Sequence, residues 1–376
     1  MQYVNWGRKH WAGRWNALCP VVAAVLIFIS GCSANLPGTS PEAQPSATAP
    51  AAALASTTPT ITPATAPSAI PAPTRAQAAD TAPTSSPTGT GRLTPVPTAT
   101  LVVTKTNTSP IQHIFIIVLE NASQASVMAD PYFKALARRG VQLTRYYGIV
   151  HPSQPNYIAM LAGDPLVPDD GSYNLPQTNL VDLLEAANVS WKAYLENYPG
   201  SCFAGAMAGN SKSDVYARKH NPFISFNDVR TNPQRCAKLV NADQLNADVA
   251  AGKLPQFSYY VPNQDNDGHD TGVAYSSKWM KGFLEPLLAN PNFSTGMLVV
   301  ITYDETGGML NNPASSPLYT VLLGPVVKAG TVDATAYTHY SLLRFVENTF
   351  KLGTLHRNDE HATPFAACNF SGGCSK

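Results

Sequence analysis

The sequence predicts an α/β domain: a mostly parallel central sheet with helices on both faces. Two unbroken apolar, β-branched runs, 111–119 and 297–303, have the composition of strands buried on both faces. Both stop at acids, Glu120-Asn121 after the first and Asp304-Glu305-Thr306-Gly307-Gly308 after the second. Between the two runs, strand-like and helix-like stretches alternate. In open α/β sheets ligands gather beyond the carboxyl ends of strands, so the two acidic turns nominate one shared site.

The chain opens with Arg8, Lys9 and Arg14, an apolar run from Ala17 to Ile29, and then Ser30-Gly31-Cys32. A positive segment, a short apolar core and small residues describe an export signal over 1–31. The cysteine resembles a bacterial lipobox, which implies cleavage before Cys32 and a lipid on its sulfur. An uncleaved signal anchor is the other reading, and either one leaves the rest of the chain outside the cytoplasm and tethered to the membrane. Residues 32–109 are rich in Pro, Thr, Ala and Ser and nearly free of charge. Such a segment cannot bury enough apolar surface to offset its chain entropy, so it is expected to be a disordered linker. Its reach runs from roughly 50 Å as a flexible coil to roughly 200 Å extended.

The remainder, 110–376, is long enough for one large catalytic domain. A net charge of +1, with no basic patch and no aromatic RNA-type motif, argues against a nucleic-acid partner. Of six cysteines, Cys19 lies in the signal and Cys32 at the lipidation site. Cys202, Cys236, Cys368 and Cys374 remain, with three possible pairings. The preferred one joins Cys202 to Cys236 and Cys368 to Cys374; no spacing is CxxC, which disfavours a cysteine metal site.

Helices are expected over 131–139, 179–187 and 341–350, and strands over 189–195 and 254–262. Trp191, Tyr194 and Tyr198 are expected in the core. The stretch His151-Pro152-Ser153-Gln154-Pro155-Asn156-Tyr157 puts an isolated serine where a sharp turn meets a short apolar helix, 156–162, closed by Gly163. Pro155 suits a first helical turn. Ser153 and Asn156 then lie at the positive helix end, where an anionic oxygen or a phosphate is favoured. Ser153 reads either as a helix cap or as a nucleophile, and the acids and histidines elsewhere favour the nucleophile.

The loop 263–272 follows a strand and alternates acids with small residues around His269. It reads as a solvated turn, a calcium loop or a metal site. Asp265 and His269, with His339 returned at the start of a later helix, would make a mixed N/O site suited to zinc, iron or manganese. Glu120, Asp304 and Glu305 would make an all-oxygen one.

Taken in order, Glu120-Asn121, the 151–157 motif, Asn266-Asp267-Gly268-His269-Asp270, Thr302-Tyr303-Asp304-Glu305 and Tyr337-Thr338-His339-Tyr340-Ser341 resemble the phosphoesterase family. That family includes secreted acid phosphatases and bacterial phospholipases C, within the alkaline phosphatase superfamily. The resemblance runs over 111–355. It implies an alkaline-phosphatase-like fold, metal ligands among Glu120, Asn121, Asp265, His269, Asp304, Glu305 and His339, and one or two divalent ions from zinc, iron, manganese, calcium or magnesium. A more distant similarity is to nucleotide pyrophosphatase/phosphodiesterases. Those carry Asp where this chain has Glu120, and Asp-His where it has Asp304-Glu305, which makes the second site harder.

With no Asp-His pair placed beside Ser153 as a triad, metal activation of the hydroxyl is expected. Attack by Ser153 on phosphorus would give a phosphoserine that water then hydrolyses, with Asn156 and backbone N–H groups stabilising the equatorial oxygens. His151 would bind phosphate or protonate the leaving oxygen, or else serve as a structural histidine. The acid-phosphatase branch implies a phosphate-monoester substrate. A phosphodiesterase such as a phospholipase C, or a phosphoinositide phosphatase, is the enzymatic alternative, and a non-catalytic surface binding protein is the third.

Overall fold

The computed structural model describes residues 111–210, 213–308, 312–313 and 315–373. The expected signal (1–31), the lipidation site Cys32, the linker (32–109) and Cys374 lie outside these residues. The strands are β1 (His113–Leu119), β2 (Val141–Tyr147), β3 (Trp191–Leu195), β4 (Met207–Asn210), β5 (Ser213–Ala217), β6 (Leu239–Asn241), β7 (Phe257–Val261), β8 (Met297–Tyr303), β9 (Val321–Leu323) and β10 (Thr331–Thr338). Eight of them form one sheet in the order β10-β2-β9-β8-β1-β7-β3-β6, while β4 and β5 make a separate hairpin. Within the large sheet β9 pairs antiparallel with β2 and β8, and the other pairings are parallel. The expected mostly parallel α/β architecture is what forms.

β1 lies between two parallel partners, and from Ile114 to Leu119 its side chains are buried. This explains an unbroken apolar run in place of an alternating one. Successive side chains of a strand point to opposite faces, and β7 shows what covers each. The Tyr259 hydroxyl donates to Met160 Sδ on the helix Ser153–Ala162. Tyr260 instead packs on Phe283 of the helix Val273–Ala289, ring centroids 4.5 Å apart. Helices therefore cover both faces. Trp191, Tyr194 and Tyr198 are buried in the core, as expected.

The helix at the serine motif begins at Ser153, three residues earlier than the apolar pattern suggested, with Pro152 in the cap position and no side-chain cap. Ser153 is thus the first helical residue and not the cap. All ten residues of this helix are buried, and it ends at Gly163, whose φ of 69° suits glycine. A Cβ there would meet Asp359 Oδ1 at 2.4 Å. The helix His339–Phe350 starts two residues before its expected beginning, because Thr338 and Ser341 close a reciprocal cap. β2, β9, β10, β6 and the β4–β5 hairpin were not foreseen; these are short or half-polar strands whose sequences carry weak periodicity.

Cys202 and Cys236 form the expected disulfide, linking the turn region after β3 to the short helix Pro233–Cys236. Cys368 is disulfide-bonded as well. Among the described residues no helix is long and apolar enough to cross a membrane.

On the helix His339–Phe350, Glu347 is fully buried, with both carboxylate oxygens lacking hydrogen bonds and the Arg344 guanidinium 3.6 Å away. Burial, reinforced by Asp359, pushes its pKa up to about 8. A carboxyl whose folded pKa is raised holds its proton in the folded state, so stability falls as pH climbs from about 4.5 towards 8. Glu347→Gln is therefore expected to melt about 2–4 °C above wild type at pH 8, with the gain vanishing near pH 5. Thermal denaturation at the two pH values checks this, and a pH-independent difference would contradict it.

Candidate active site

The parallel pairing of β1 with β8 matches Leu119 to Tyr303, so the next residues, Glu120 and Asp304, emerge side by side. The Asp304 N–H donates to the Leu119 carbonyl at 3.0 Å, which continues the ladder one step. On the other flank of β1, the loop after β7 returns so that the Glu120 N–H donates to the Asp267 carbonyl at 3.0 Å. Three acids from three neighbouring strands thereby meet at one sheet edge. Glu120, Asp267 and Asp304 are each at most 2% exposed.

Ser153 faces this group. Its hydroxyl donates to Glu120 Oε2 at 2.9 Å, and the serine is 2% exposed. Asn121 Nδ2 donates to the same Glu120 oxygen at 3.2 Å, and the Asn121 N–H donates to Asp304 Oδ1 at 3.1 Å. Asn121 adopts a left-handed φ of 59°, a conformation that costs a non-glycine residue energy and is found where the surroundings impose it. Gly307, φ 71°, lies against it; a Cβ there would stand 2.8 Å from the Asn121 carbonyl. Gly307 is thus what lets the second acidic turn approach the first.

Two histidines and a lysine complete the cluster. His220, 1% exposed, stacks on Tyr157 with ring centroids 5.2 Å apart and 15° between planes. Its Nε2 lies 3.1 Å from Glu120 Oε1 and its Nδ1 3.1 Å from Asp267 Oδ2, without an aligned hydrogen bond at either acid oxygen. Ligand atoms of Glu120, His220 and His269 all lie within 4.8 Å of one another. Lys219 Nζ sits 3.2 Å from His269 Nε2 and 3.1 Å from Asp170 Oδ2.

The electrostatics of this cluster are those of a site short of positive charge. Burial first, then the repulsion of Asp304 and Asp267, pushes Glu120 well above the usual carboxylate range. Burial raises Asp267 well above its ordinary value and Asp304 to about 6. His220 is held well below 6.5 by burial and by the charge of Lys219. Glu120 Oε1, Asp267 Oδ2, Asp304 Oδ2 and His220 Nε2 are buried without a hydrogen-bond partner. Unsatisfied buried acceptors of mixed N/O type fit a divalent cation, which would satisfy them together.

Of the residues nominated from sequence, the structure brings together Glu120, Asn121, Ser153, His269 and Asp304. Glu305 and His151 lie in contact beside this group, Oε2 against Nδ1. Other nominees are engaged elsewhere. Asn156 Oδ1 accepts from the Ile149 and Val150 N–H groups, and its Nδ2 donates to the Val150 and Pro152 carbonyls, so the side chain clamps the 149–152 turn. His339 is buried with Nε2 at 2.6 Å from the Asp304 carbonyl and Nδ1 at 3.1 Å from the Tyr146 hydroxyl. Both nitrogens have partners, and His339 supports the Asp304 backbone from behind. Asp265 is not a member of the Glu120–His220–His269 group, and Asp267 is the acid of its loop that reaches Glu120.

Sequence reasoning passed over Asp267, His220 and Lys219. Asp267 stood in a recognised loop, where spacing from His269 favoured Asp265. His220 and Lys219 lie in the 3-10 turn Arg218–His220 after an unforeseen hairpin, so no strand end pointed to them. The run Arg218-Lys219-His220-Asn221-Pro222, basic and polar against a proline, was the available signal.

A family model described as the phosphoesterase family matches residues 128–353. The chain is 39% identical over 271 residues to a probable acid phosphatase of Kluyveromyces lactis, which covers 69% of this chain and 63% of that protein. It is 31% identical over 249 residues to a phosphatidylinositol-3-phosphatase of Mycobacterium tuberculosis, covering 64% of this chain and 77% of that one. Among solved structures, a Vibrio parahaemolyticus protein of the alkaline phosphatase superfamily superposes with a TM-score of 0.45 at 13% identity, over 66% of this chain and 69% of its own.

If the buried acids await a cation, one substitution should act in opposite directions in the two states. Glu120→Gln relieves repulsion in metal-free protein, where its melting temperature should exceed wild type by about 2–4 °C. In metal-replete protein the same variant should melt below wild type and bind the ion more weakly by calorimetry. A change of the same sign in both states would argue against the metal assignment.

Proposed function

Because the chain belongs to the phosphoesterase family, we propose that it is a metal-dependent phosphatase of acid-phosphatase type that hydrolyses phosphate monoesters through a phosphoserine on Ser153. The observation that carries this reading is the Ser153 hydroxyl donating at 2.9 Å to Glu120, at the first turn of a buried helix and beside orphaned acid oxygens. Glu120, Asn121, Asp267, Asp304, His220 and His269 are the residues that would hold the cation. Such an ion supplies charge for the phosphoryl oxygens and eases loss of a hydroxyl proton.

The chain's own residues divide the remaining work. Glu120 orients the Ser153 hydroxyl through the hydrogen bond it accepts. Ser153 Oγ passes its proton to the Glu120 carboxylate and forms a bond to phosphorus as the ester P–O bond breaks, and the alcohol departs with a proton that we assign to His151, held by Glu305. Water then attacks phosphorus and gives a proton to His151, the Oγ–P bond breaks and Ser153 takes its proton back from Glu120. Asn156 acts by holding the 149–152 turn in place beside Ser153, a positioning role that replaces the expected contact with equatorial oxygens.

The likeness to a phosphatidylinositol-3-phosphatase, which extends over 77% of that protein, favours a phosphoinositide headgroup as the second reading. We also propose that the protein is exported and tethered to the membrane through Cys32, on the basic, apolar and Ser30-Gly31-Cys32 pattern of its first residues.

Hydrolysis of a chromogenic phosphate monoester beside the matching diester, from pH 4 to 9, tests the assignment. The monoester is expected to be the better substrate. Ser153→Ala and chelation should each lower its turnover by at least about a thousandfold, with the fold of Ser153→Ala intact by circular dichroism. Faster diester cleavage would move the substrate class to phosphodiesters. No cleavage of either by metal-replete protein would overturn the catalytic reading in favour of a surface binding protein.

A further inference from the structure

We infer that Lys219 is a substrate-binding residue that responds to the second negative charge of a phosphate monoester and thereby sets the preference for monoesters over diesters. The inference rests on the phosphatase reading above and deepens it.

Lys219 is placed by its neighbours and not by its own packing. It lies in the turn Arg218–His220, directly after the β4–β5 hairpin. The Arg218 N–H donates to the Ala206 carbonyl at 2.8 Å, and the Arg218 guanidinium donates to the Ala204 carbonyl at 3.1 Å and the Tyr173 carbonyl at 2.5 Å. Arg218 is therefore buried and spent on backbone, while the next residue is delivered to the mouth of the site. The Lys219 side chain is 24% exposed, so its charge is partly desolvated and acts more strongly than at an open surface.

Its ammonium is tied to both halves of the reaction centre. Nζ donates to Asp170 Oδ2 at 3.1 Å, and Asp170 Oδ1 accepts the Gln154 N–H at 2.9 Å, the residue after Ser153. On its other side Nζ lies 3.2 Å from His269 Nε2. His269 Nδ1 faces Asp270 Oδ1 at 2.6 Å, so the ring proton belongs on Nδ1; without a cation Nε2 accepts from the lysine, and a bound cation would take that lone pair and release the ammonium. The ammonium thus stands one carboxylate away from the nucleophile's helix and in contact with the buried cluster.

A lysine ammonium has three donors, of which Asp170 takes one and, without a cation, His269 a second. It is also a compact point charge, a form of cation suited to phosphate oxygens. Near neutral pH a monoester carries roughly two negative charges, because its second pKa is about 6, whereas a diester carries one. Removing a cation from this position therefore penalises the monoester more. Lys219 and Asp170 line an open cavity of about 210 Å³ whose other walls include Ser172, Ala206, Met207 and Ala217, room for the alcohol portion of the ester.

The test compares kcat/KM for a chromogenic monoester and its matching diester in metal-replete wild type, Lys219→Met, Lys219→Gln and Lys219→Arg. Both neutral variants are expected to lose about 10–100-fold on the monoester and at least several-fold less on the diester, with weaker inhibition by inorganic phosphate. Lys219→Arg should restore most of the monoester-to-diester ratio. Two neutral side chains of different polarity guard against one that misfolds, with melting temperature as the control. Equal losses on both esters would make Lys219 only a strut for Asp170 and overturn the inference. Wild type inert towards both esters would instead overturn the phosphatase reading, and the inference with it.

Discussion

Everything at the candidate site follows from the register between β1 and β8. Because the two strands run parallel and pair Leu119 with Tyr303, the residues just past their ends leave the sheet together and in the same direction. A slip of one residue would turn either Glu120 or Asp304 towards a helical layer and away from its partner. The hydrophobic core enforces that register: β1 and β8 are buried on both faces, so misalignment would exchange contacts along the whole length of each strand. The fold thus converts packing energy into the placement of two carboxylates that repel one another.

Around this pair the molecule accumulates strain and unsatisfied polarity that an isolated domain would avoid. Asn121 in a left-handed conformation, a buried histidine wedged between acids and several orphaned oxygens all occur within one region. Elsewhere buried carboxylates are mostly well partnered; Asp333, for example, accepts from Tyr337 and Asn369. Glu347 apart, this gathering of unpartnered buried carboxylates at one end of a well-packed sheet is the arrangement expected where a ligand supplies the missing partners.

The parts of this architecture legible in the sequence were those with strong, local signals. The unbroken runs of β1 and β8 and the acids after them pointed to the sheet edge where the candidate site lies. The 131–139 helix kept its expected bounds because Asp130 and Pro131 mark its start. Ser153 was found by its prolines, yet its position as first helical residue depended on a turn that Asn156 holds together from inside the helix. What stayed hidden was non-local. His220 gains its meaning from Tyr157 and Glu120, far away in the chain, and His339 loses its apparent availability to Tyr146 and the Asp304 carbonyl. Residue type and spacing nominate ligands, but only tertiary neighbours decide which lone pairs are already taken.

The disulfide between Cys202 and Cys236 encloses the β4–β5 hairpin, Lys219 and His220 in one covalent loop, with 34 residues of sequence separation. Closing a loop of that size removes roughly 4 kcal/mol of chain entropy from the unfolded ensemble. Beyond the hairpin the segment so restrained holds only helical turns of three or four residues, and it delivers a buried histidine that lies against both Glu120 and Asp267. Assembly of the candidate site is thereby linked to the oxidation state of two sulfurs. A chain matured under reducing conditions would keep its sheet and its acids while losing the tether on the strip that brings them nitrogen.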